Sequence, residues 1–262
     1  MIFVGSQRRA VIYEYIDSTC RFLTDTPIFA TALVSEEVDL PIAKSRLDYN
    51  INHILEDSGC SEYTLFVSGE GNFRKEIDPS YKLHRADKPP PKWREALRLH
   101  LINDWGAIEC NGYEADDACG IHQCSDGSTI ICGIDKDLLQ IPGKHYQWPI
   151  VRKGEIVRPT LYHDIDEETG WRNLFTQALT GDTADNIKGV HGIGPKKAEK
   201  ILEECHTEEE FYDKVRFFYS SSLMVEDVEV GEQRLKTNLD LLYIWRELGI
   251  TYSARREIME DR

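Results

Sequence analysis

The chain has 262 residues, of which 41% are hydrophobic and 29% are charged, and its formal net charge is −15. These values describe an ordinary globular protein with room for a sizeable core, and no apolar run approaches the roughly 18 residues of a membrane span. The seven cysteines are scattered without a C-x-x-C pair, and the start, MIFVGSQRRAVIYEY, places charge where a signal peptide needs an apolar core. Both observations favour a cytoplasmic protein with reduced thiols.

Helices and strands alternate through the first part of the chain. Apolar residues recur at helical spacing over residues 43–55 and 93–102, whereas residues 63–68 and 129–134 are short apolar runs typical of buried parallel strands. This alternation predicts an α/β fold with a central, mainly parallel sheet flanked by helices. Ligands of such sheets bind beyond the carboxyl ends of the strands, which is where Asp135 is expected.

Basic residues are concentrated in one stretch. From Lys82 to Arg98 the chain holds six lysines or arginines and only two acids. Within it, residues 88–92 read KPPPK and form a stiff connector. The distribution of charge matters more than its sum, so the acidic total does not exclude a nucleic acid partner.

The pattern becomes mostly helical after about residue 165. Helices are predicted over residues 171–179, 195–204, 208–219 and 235–248. We therefore expect an α/β domain over residues 1–165 and a helical domain over residues 166–262.

Closely spaced carboxylates carry the candidate chemistry. The i, i+3 spacing of Asp182 and Asp185 predicts that both lie on one face of a helix. Each group taken alone also fits helix capping or an ordinary loop. Together they suit divalent cations, since Mg²⁺ binds carboxylates and two ions can support phosphodiester hydrolysis. The groups are Glu114-Ala-Asp116-Asp117, Asp135-Lys-Asp137 and Asp182-Thr-Ala-Asp185.

A glycine-rich turn, GVHGIG, follows the last acidic group and precedes Lys196 and Lys197. Its glycines, Gly189, Gly192 and Gly194, permit close backbone approach, and its amides can face phosphate oxygens. The spacing G-x-x-x-x-G-K-[ST] of a nucleotide-binding P-loop is absent. The turn is therefore better suited to the backbone of a nucleic acid.

In their order and spacing these motifs resemble the flap endonuclease and 5′-3′ exonuclease family, especially the short bacteriophage 5′-3′ exonucleases. The resemblance covers about residues 22 to 250. It rests on the acidic groups, on Gly181-Asp-Thr-Ala-Asp-Asn-Ile187 with the turn, and on Asn72-Phe-Arg74 and Tyr81-Lys-x-x-Arg85. It implies a PIN-like catalytic core over residues 1–165 and a helix-hairpin-helix region of the helix-3-turn-helix type over residues 166–262.

The resemblance also implies roles for individual residues. Lys82 and Arg85 would contact the scissile phosphate, and Tyr81 would either stack on a terminal base or anchor its loop to the core. The carbonyls of Val190 and Ile193 would hold a K⁺ ion between protein and DNA. The metal ligands implied are Asp25, Glu114, Asp116, Asp117, Asp135, Asp137, Asp182 and Asp185. The DNA contacts implied are Arg74, Tyr81, Lys92, Gly189, Gly192, Gly194, Lys196 and Lys197.

The sequence departs from the family pattern at two places. The early aspartate that ends the family's first strand matches Asp25 best, although Asp17, at the end of VIYEYID, is a rival. Many relatives also carry an aspartate where this chain has Gly69, and Glu70 is the nearest substitute.

These features predict a 5′ nuclease that uses two Mg²⁺ ions, with Mn²⁺ as a substitute, and acts as a monomer. Its expected substrates are DNA with 5′ ends or flaps and RNA–DNA hybrids, in replication, repair or recombination. The alternatives are a PIN-type ribonuclease, disfavoured by the glycine-rich turn, and a noncatalytic DNA-binding relative. Gly69 supports the noncatalytic relative, whereas the retention of Lys82, Arg85 and seven acids argues against it.

Overall fold

The computed structural model describes residues 9–13, 39–83, 92–152, 155–221 and 228–261. Its α/β part contains β1 (Arg9–Tyr13), β2 (Glu62–Ser68), β3 (Ile108–Cys110), β4 (Ile130–Cys132), β5 (Gly143–Gln147), β6 (Ile150–Arg152), β7 (Glu155–Arg158) and β8 (Leu161–Ile165). Six of these form one sheet in the order β3-β2-β1-β4-β5-β8, while β6 and β7 pair as a separate antiparallel hairpin. The pairs among β3, β2, β1, β4 and β5 are parallel, and only β8 is antiparallel. The predicted fold class is confirmed.

Helices pack against both faces of the sheet. Successive residues of a strand point to opposite faces, so one strand can contact helices on both sides. The helices here are α1 (Leu40–Ser58), α2 (Phe73–Ile77), α3 (Arg94–Trp105) and α4 (Ala115–Ser125). In β2, Leu65 and Val67 share a core with α1 and α3, whereas Phe66 packs with α4. Strands β2 and β4 are thus buried on both faces, as their unbroken apolar runs predict.

The rest of the chain is helical, with α5 (Glu167–Thr180), α6 (Pro195–Leu202), α7 (Glu208–Ser220), α8 (Val228–Leu242) and α9 (Tyr252–Glu260). A two-stranded hairpin, β9 (Gly181–Asp182) and β10 (Ile187–Lys188), lies between α5 and α6. These helices share one core, in which the Phe175 and Phe211 rings stack. None of the helices among the described residues is long and apolar enough to cross a membrane.

The prediction that Asp182 and Asp185 share a helical face is wrong. Helix α5 ends at Thr180, the next residue, Gly181, has a φ of +74°, and Asp182 then pairs with Ile187 in the hairpin. The Asp182 Oδ1 atom accepts from the amide of Ala184 at 2.7 Å. Such an aspartate turn competes with the helix for the same backbone donors.

The helix predicted over residues 235–248 ends early, at Leu242. Distant side chains take the backbone groups that would continue it. Arg74 donates to the carbonyls of Leu241 and Tyr243 at 2.8 and 2.9 Å, and Gln140 accepts from the amide of Ile244 at 2.9 Å. The segment from residue 241 to residue 245 therefore joins the helical part to the sheet part.

Candidate active site

The carboxyl ends of β2, β3 and β4 lie at one edge of the sheet, because these strands and β1 are parallel. Beyond β3, Glu114 caps the first turn of α4, where its backbone amide donates to Asp117 Oδ2 at 3.0 Å. Beyond β4, Asp135 Oδ1 accepts from the amide of Asp137 at 2.9 Å and fixes the start of a short 3₁₀ helix, Asp137–Gln140. The β9–β10 hairpin brings Asp182, which lies in β9, and Asp185, which lies in the turn, to the same region, beside Lys136 and Tyr81 respectively.

Arg74 and Asp117 form a buried ion pair beneath this edge. The guanidinium donates to both Asp117 oxygens, at 2.6 and 2.8 Å, and the two side chains are 2% and 0% exposed. Asp117 also accepts from the amide of Trp245 at 3.1 Å. The predicted DNA contact of Arg74 needs correction, because all of its donors face protein. Asp117 is equally committed to these partners, and its role as a metal ligand stays a prediction.

Tyr81 and Lys82 connect the first acidic group to the last. The Tyr81 hydroxyl lies 2.9 Å from Glu114 Oε2 and 3.0 Å from Asp185 Oδ2. The Lys82 ammonium lies 2.6 Å from Glu114 Oε1 and 3.6 Å from Asp185 Oδ2. The Tyr81 ring is 3% exposed and belongs to the helical core. Of its two predicted roles, the structure therefore contains the anchor rather than the stacking surface.

Lys82 is held in an unusual backbone conformation. Its φ of +54° lies in the left-handed region, where side chains other than glycine are strained. Its amide donates to the carbonyl of Asp185 at 3.1 Å, which fixes the turn against the hairpin. Strain of this kind is often found at functional sites, and here it aims the ammonium at the carboxylates.

A second cluster contains Asp137, Asp182, Lys136 and Gln177. The Lys136 ammonium lies 3.0 Å from Asp137 Oδ1 and 3.0 Å from Asp182 Oδ2. The Gln177 amide nitrogen donates to the same two oxygens, at 2.8 and 3.0 Å. Two donors thus bridge two carboxylates that come from different parts of the fold.

The electrostatics show how tightly the carboxylates are packed. Burial, together with the neighbouring Glu114 and Asp117 charges, raises the pKa of Asp116 well above its usual value. Burial and then Asp137 raise the pKa of Asp135 to about 6. Burial also acts to raise the pKa of Glu114, but Lys82 and Arg74 overcome it and hold that pKa at about 2. Lys82 also lowers the pKa of Asp135, which ties the two clusters together electrostatically.

The side chains of the site offer carboxylate oxygens, a donor type that suits divalent metal ions. Within the described ranges, no three Asp, Glu, His or Cys side chains already converge as in a metal centre. The ammonium groups of Lys82 and Lys136 instead lie among the carboxylates, each close to two of them. Carboxylate oxygens are the ligands that Mg²⁺ prefers, and cations already occupy both clusters.

The glycine-rich turn continues directly from this site. A Cβ atom at Gly189 would overlap the Gly181 amide and the Leu179 carbonyl, whereas Gly192 and Gly194 have open space around them. Gly189 is therefore required by packing inside the protein. Lys196 and Lys197, in the first turn of α6, are exposed. Their exposure, with that of Gly192 and Gly194, leaves this side of the turn open to a ligand.

The remaining predicted contacts involve Val190, Ile193, Lys92 and Arg85. The side chains of Val190 and Ile193 are buried, and the Val190 carbonyl accepts from the amide of Ile193 at 3.1 Å. Their K⁺ site stays a prediction. Lys92 is exposed, with its ammonium 4.4 Å from the centre of the Trp93 ring. Arg85 lies outside the described residues.

The position of the first strand bears on the choice between Asp17 and Asp25. Asp17 and Asp25 lie outside the described residues. Strand β1 nevertheless ends at Tyr13, between β2 and β4 at the centre of the sheet. Asp17 follows that end much more closely than Asp25 does, which favours the rival over the preferred choice.

The departure at Gly69 also has a physical basis. A Cβ atom there would overlap the Asn111 side chain and contact the Cys110 carbonyl, so an aspartate does not fit without rearrangement. Glu70 is exposed, and its amide donates to Asn111 Oδ1 at 2.8 Å. The residue that ends β2 is Ser68, whose hydroxyl accepts from the amide of Ala115 at 3.1 Å. A hydroxyl, missed by the motif search, thus stands beside the first acidic group.

Comparison with known proteins relates the helical part of the chain to a described family. Residues 174–258 match the family described as 5′-3′ exonuclease, C-terminal SAM fold. The predicted family resemblance is confirmed. DNA polymerase I of Rhizobium leguminosarum is 33% identical over 199 residues, which cover 70% of this chain and 18% of that protein. DNA polymerase I of Bacillus caldotenax is 34% identical over 175 residues, which cover 61% of this chain and 20% of that protein. The chain thus spans about a fifth of the length of these curated relatives.

A solved structure extends the likeness across the 5′-3′ exonuclease fold. A variant flap endonuclease of bacteriophage T5, in a pseudo-enzyme–product complex with DNA and metal ions, is 18% identical. The match has a TM-score of 0.56 and covers 90% of this chain and 89% of the phage protein. At this identity the likeness concerns the fold, and it includes both the PIN-like sheet and the helical part.

Proposed function

We propose that the protein is a Mg²⁺-dependent 5′-3′ exonuclease and flap endonuclease that hydrolyses phosphodiester bonds of DNA. The observation that carries this proposal is that carboxylates from the sheet edge, Glu114, and from the hairpin, Asp185, meet around the Lys82 ammonium. Such a concentration of negative charge becomes favourable when divalent cations bind it. The phage flap endonuclease of similar fold, which was solved with DNA and metal ions, supports the same interpretation.

Two groups of residues would hold the ions. Glu114, Asp116 and Asp135 would hold the first, with Asp17 as the preferred fourth carboxylate, and Asp137, Asp182 and Asp185 the second. Two such ions would supply a hydroxide nucleophile and stabilise the leaving oxygen. Mn²⁺ would substitute, because it accepts the same oxygen ligands.

Lys82 would bind the scissile phosphate. Its ammonium pairs with Glu114 and would turn to the phosphate when Glu114 serves as a metal ligand. A lysine so placed stabilises the negative charge that develops on phosphate oxygens. Arg85, three residues further on, would add a two-pronged contact.

The glycine-rich turn would hold the duplex away from the chemistry. Exposed Lys196 and Lys197 would contact the phosphate backbone, and the Val190 and Ile193 carbonyls would hold K⁺ there. A fixed distance between this turn and the ions would set where the strand is cut. We also propose action on RNA–DNA hybrids, a monomeric state and a cytoplasmic location.

A noncatalytic DNA-binding relative is the second candidate, because β2 ends at Ser68 and is followed by Gly69 rather than by an aspartate. A single assay separates the two. The protein is incubated with 5′-labelled duplex, 5′-flap and RNA–DNA hybrid substrates, in Mg²⁺ or in EDTA. Cleavage of the flap substrate in Mg²⁺ but not in EDTA supports the proposed nuclease function. Binding without cleavage of any substrate in Mg²⁺ or Mn²⁺ supports the noncatalytic relative instead. The same assay on Asp182→Asn should show loss of cleavage. The matched control is Asp213→Asn, which makes the same substitution on the exposed side of α7.

A further inference from the structure

Lys136 and Gln177 donate to the same two carboxylate oxygens, Asp137 Oδ1 and Asp182 Oδ2, one from the solvent side and the other from the protein interior. The Lys136 side chain is 70% exposed, and its ammonium reaches Asp137 and Asp182 from the solvent. Gln177 is 8% exposed, on the inner face of α5, and reaches the same oxygens from within. One partner is therefore free to leave, whereas the other is fixed by packing.

The two carboxylates need such partners because nothing in their local structure joins them. Asp137 begins the 3₁₀ helix after β4, and Asp182 lies in β9. Held close together they repel, and an opposite charge or shared donors must offset that repulsion. Lys136 supplies the charge, and Gln177 supplies the shared donor without adding charge.

We propose that Lys136 is a tethered cation that occupies the second metal position until a divalent ion displaces it, while Gln177 holds Asp137 and Asp182 together in both states. This inference rests on the proposed function. Both are positioning residues, since each acts through the carboxylates. The two would nevertheless affect metal binding with opposite sign. Lys136 competes with the ion for Asp137 and Asp182, and Gln177 prepares those ligands for it.

The expected changes follow from this opposition. Lys136→Met removes the competing ammonium but keeps most of the aliphatic stem, so the ion should bind about threefold to tenfold more tightly, as expected for losing two exposed ion pairs. Gln177→Leu removes the shared donor, so the ion should bind several-fold more weakly. A purely structural role would weaken binding in both variants.

Calorimetric titration with Mn²⁺ and with Mg²⁺, at one ionic strength, tests the proposal on the full-length chain. Lys75→Met, at an exposed position of α2, removes the same charge elsewhere and serves as the control. Lys136→Gln is a second variant, expected to tighten binding less than Lys136→Met because it retains a donor. Circular dichroism establishes that each variant is folded.

The outcomes are distinct. Tighter binding in Lys136→Met than in Lys75→Met, with weaker binding in Gln177→Leu, supports the proposal. Unchanged or weaker ion binding in both Lys136 variants overturns the proposal. If the wild-type protein still binds the ion in that case, the proposed nuclease function is not affected. A wild-type protein that binds neither ion at millimolar concentration removes the proposed function itself, and this inference with it.

Discussion

Replacing Arg74 with methionine should destabilise the protein strongly without removing a DNA contact. The guanidinium makes two hydrogen bonds to Asp117 and one each to the carbonyls of Leu241 and Tyr243. Its loss leaves the Asp117 carboxylate buried without a countercharge. Breaking a buried pair in this way costs about 3–5 kcal/mol. For a chain of this size, that corresponds to a melting temperature lower by about 6–20 °C.

Urea unfolding of a double-mutant cycle measures the pair itself. Asp117→Asn keeps an oxygen for the Trp245 amide while removing the charge. The double variant Arg74→Met/Asp117→Asn should therefore be more stable than the sum of the single changes predicts, by about 2–3 kcal/mol. Simple additivity of the two changes would refute the assignment of a buried, coupled pair.

DNA binding supplies a second readout of the same variant. A side chain that contacts one phosphate contributes about 0.9 to the slope of log affinity against log salt. Arg74→Met, measured below its melting temperature, should leave that slope unchanged, whereas Lys197→Met should reduce it. A reduction in the Arg74 variant would mean that this arginine reaches the DNA after all.

Three further predictions concern the turn, the pH dependence and the first strand. Gly189→Ala should cost about 1–3 kcal/mol of unfolding free energy because its Cβ overlaps backbone, and Gly194→Ala, with open space, should cost little; equal losses in thermal melts would contradict this. Burial lowers the pKa of His145 to about 4, so its stabilising contribution is present above about pH 6.5 and is lost as the pH falls toward 4. Replacement by glutamine should flatten that part of the stability curve, and an unchanged curve would count against it. Asp17→Asn should abolish Mg²⁺-dependent cleavage while Asp25→Asn retains it, and the reverse result would restore Asp25.

Much of the fold was predictable because its signals are local. The apolar runs that became β2 and β4 predict buried strands, and the helical spacing before and between them predicts α1 and α3. The α5 to α7 region follows in the same way from its periodicity. Elements without a strong period, such as α9 and the β6–β7 hairpin, were not predicted.

The failures arose where long-range contacts override local preference. Residues 243–248 continue the helical pattern of α8, yet Arg74, Asp117 and Gln140 take their backbone groups into the sheet part. Asp182 and Asp185 have helical spacing, yet Gly181 ends α5 and the Asp182 side chain closes a turn. No periodicity in the sequence reports such contacts.

The site was predictable in its charges and less so in its neutral groups. Motif order located the carboxylates and Lys82. Gln177 carries no motif, and its importance becomes visible only when Asp137 and Asp182 are brought together. Tyr81 was recognised, but its burial, which decides between stacking and anchoring, depends on the packing of the helical core.

The most direct test compares Lys82→Ala and Asp182→Asn in two assays. Single-turnover cleavage of a 5′-labelled flap in Mg²⁺ measures the chemistry, and calorimetry measures the binding of divalent ions. We predict that both variants lose cleavage by at least about 100-fold, that Lys82→Ala binds the ions at least as tightly as the wild type, and that Asp182→Asn binds them more weakly. Normal cleavage by Asp182→Asn would contradict the assignment of the hairpin carboxylates to a metal-dependent nuclease site.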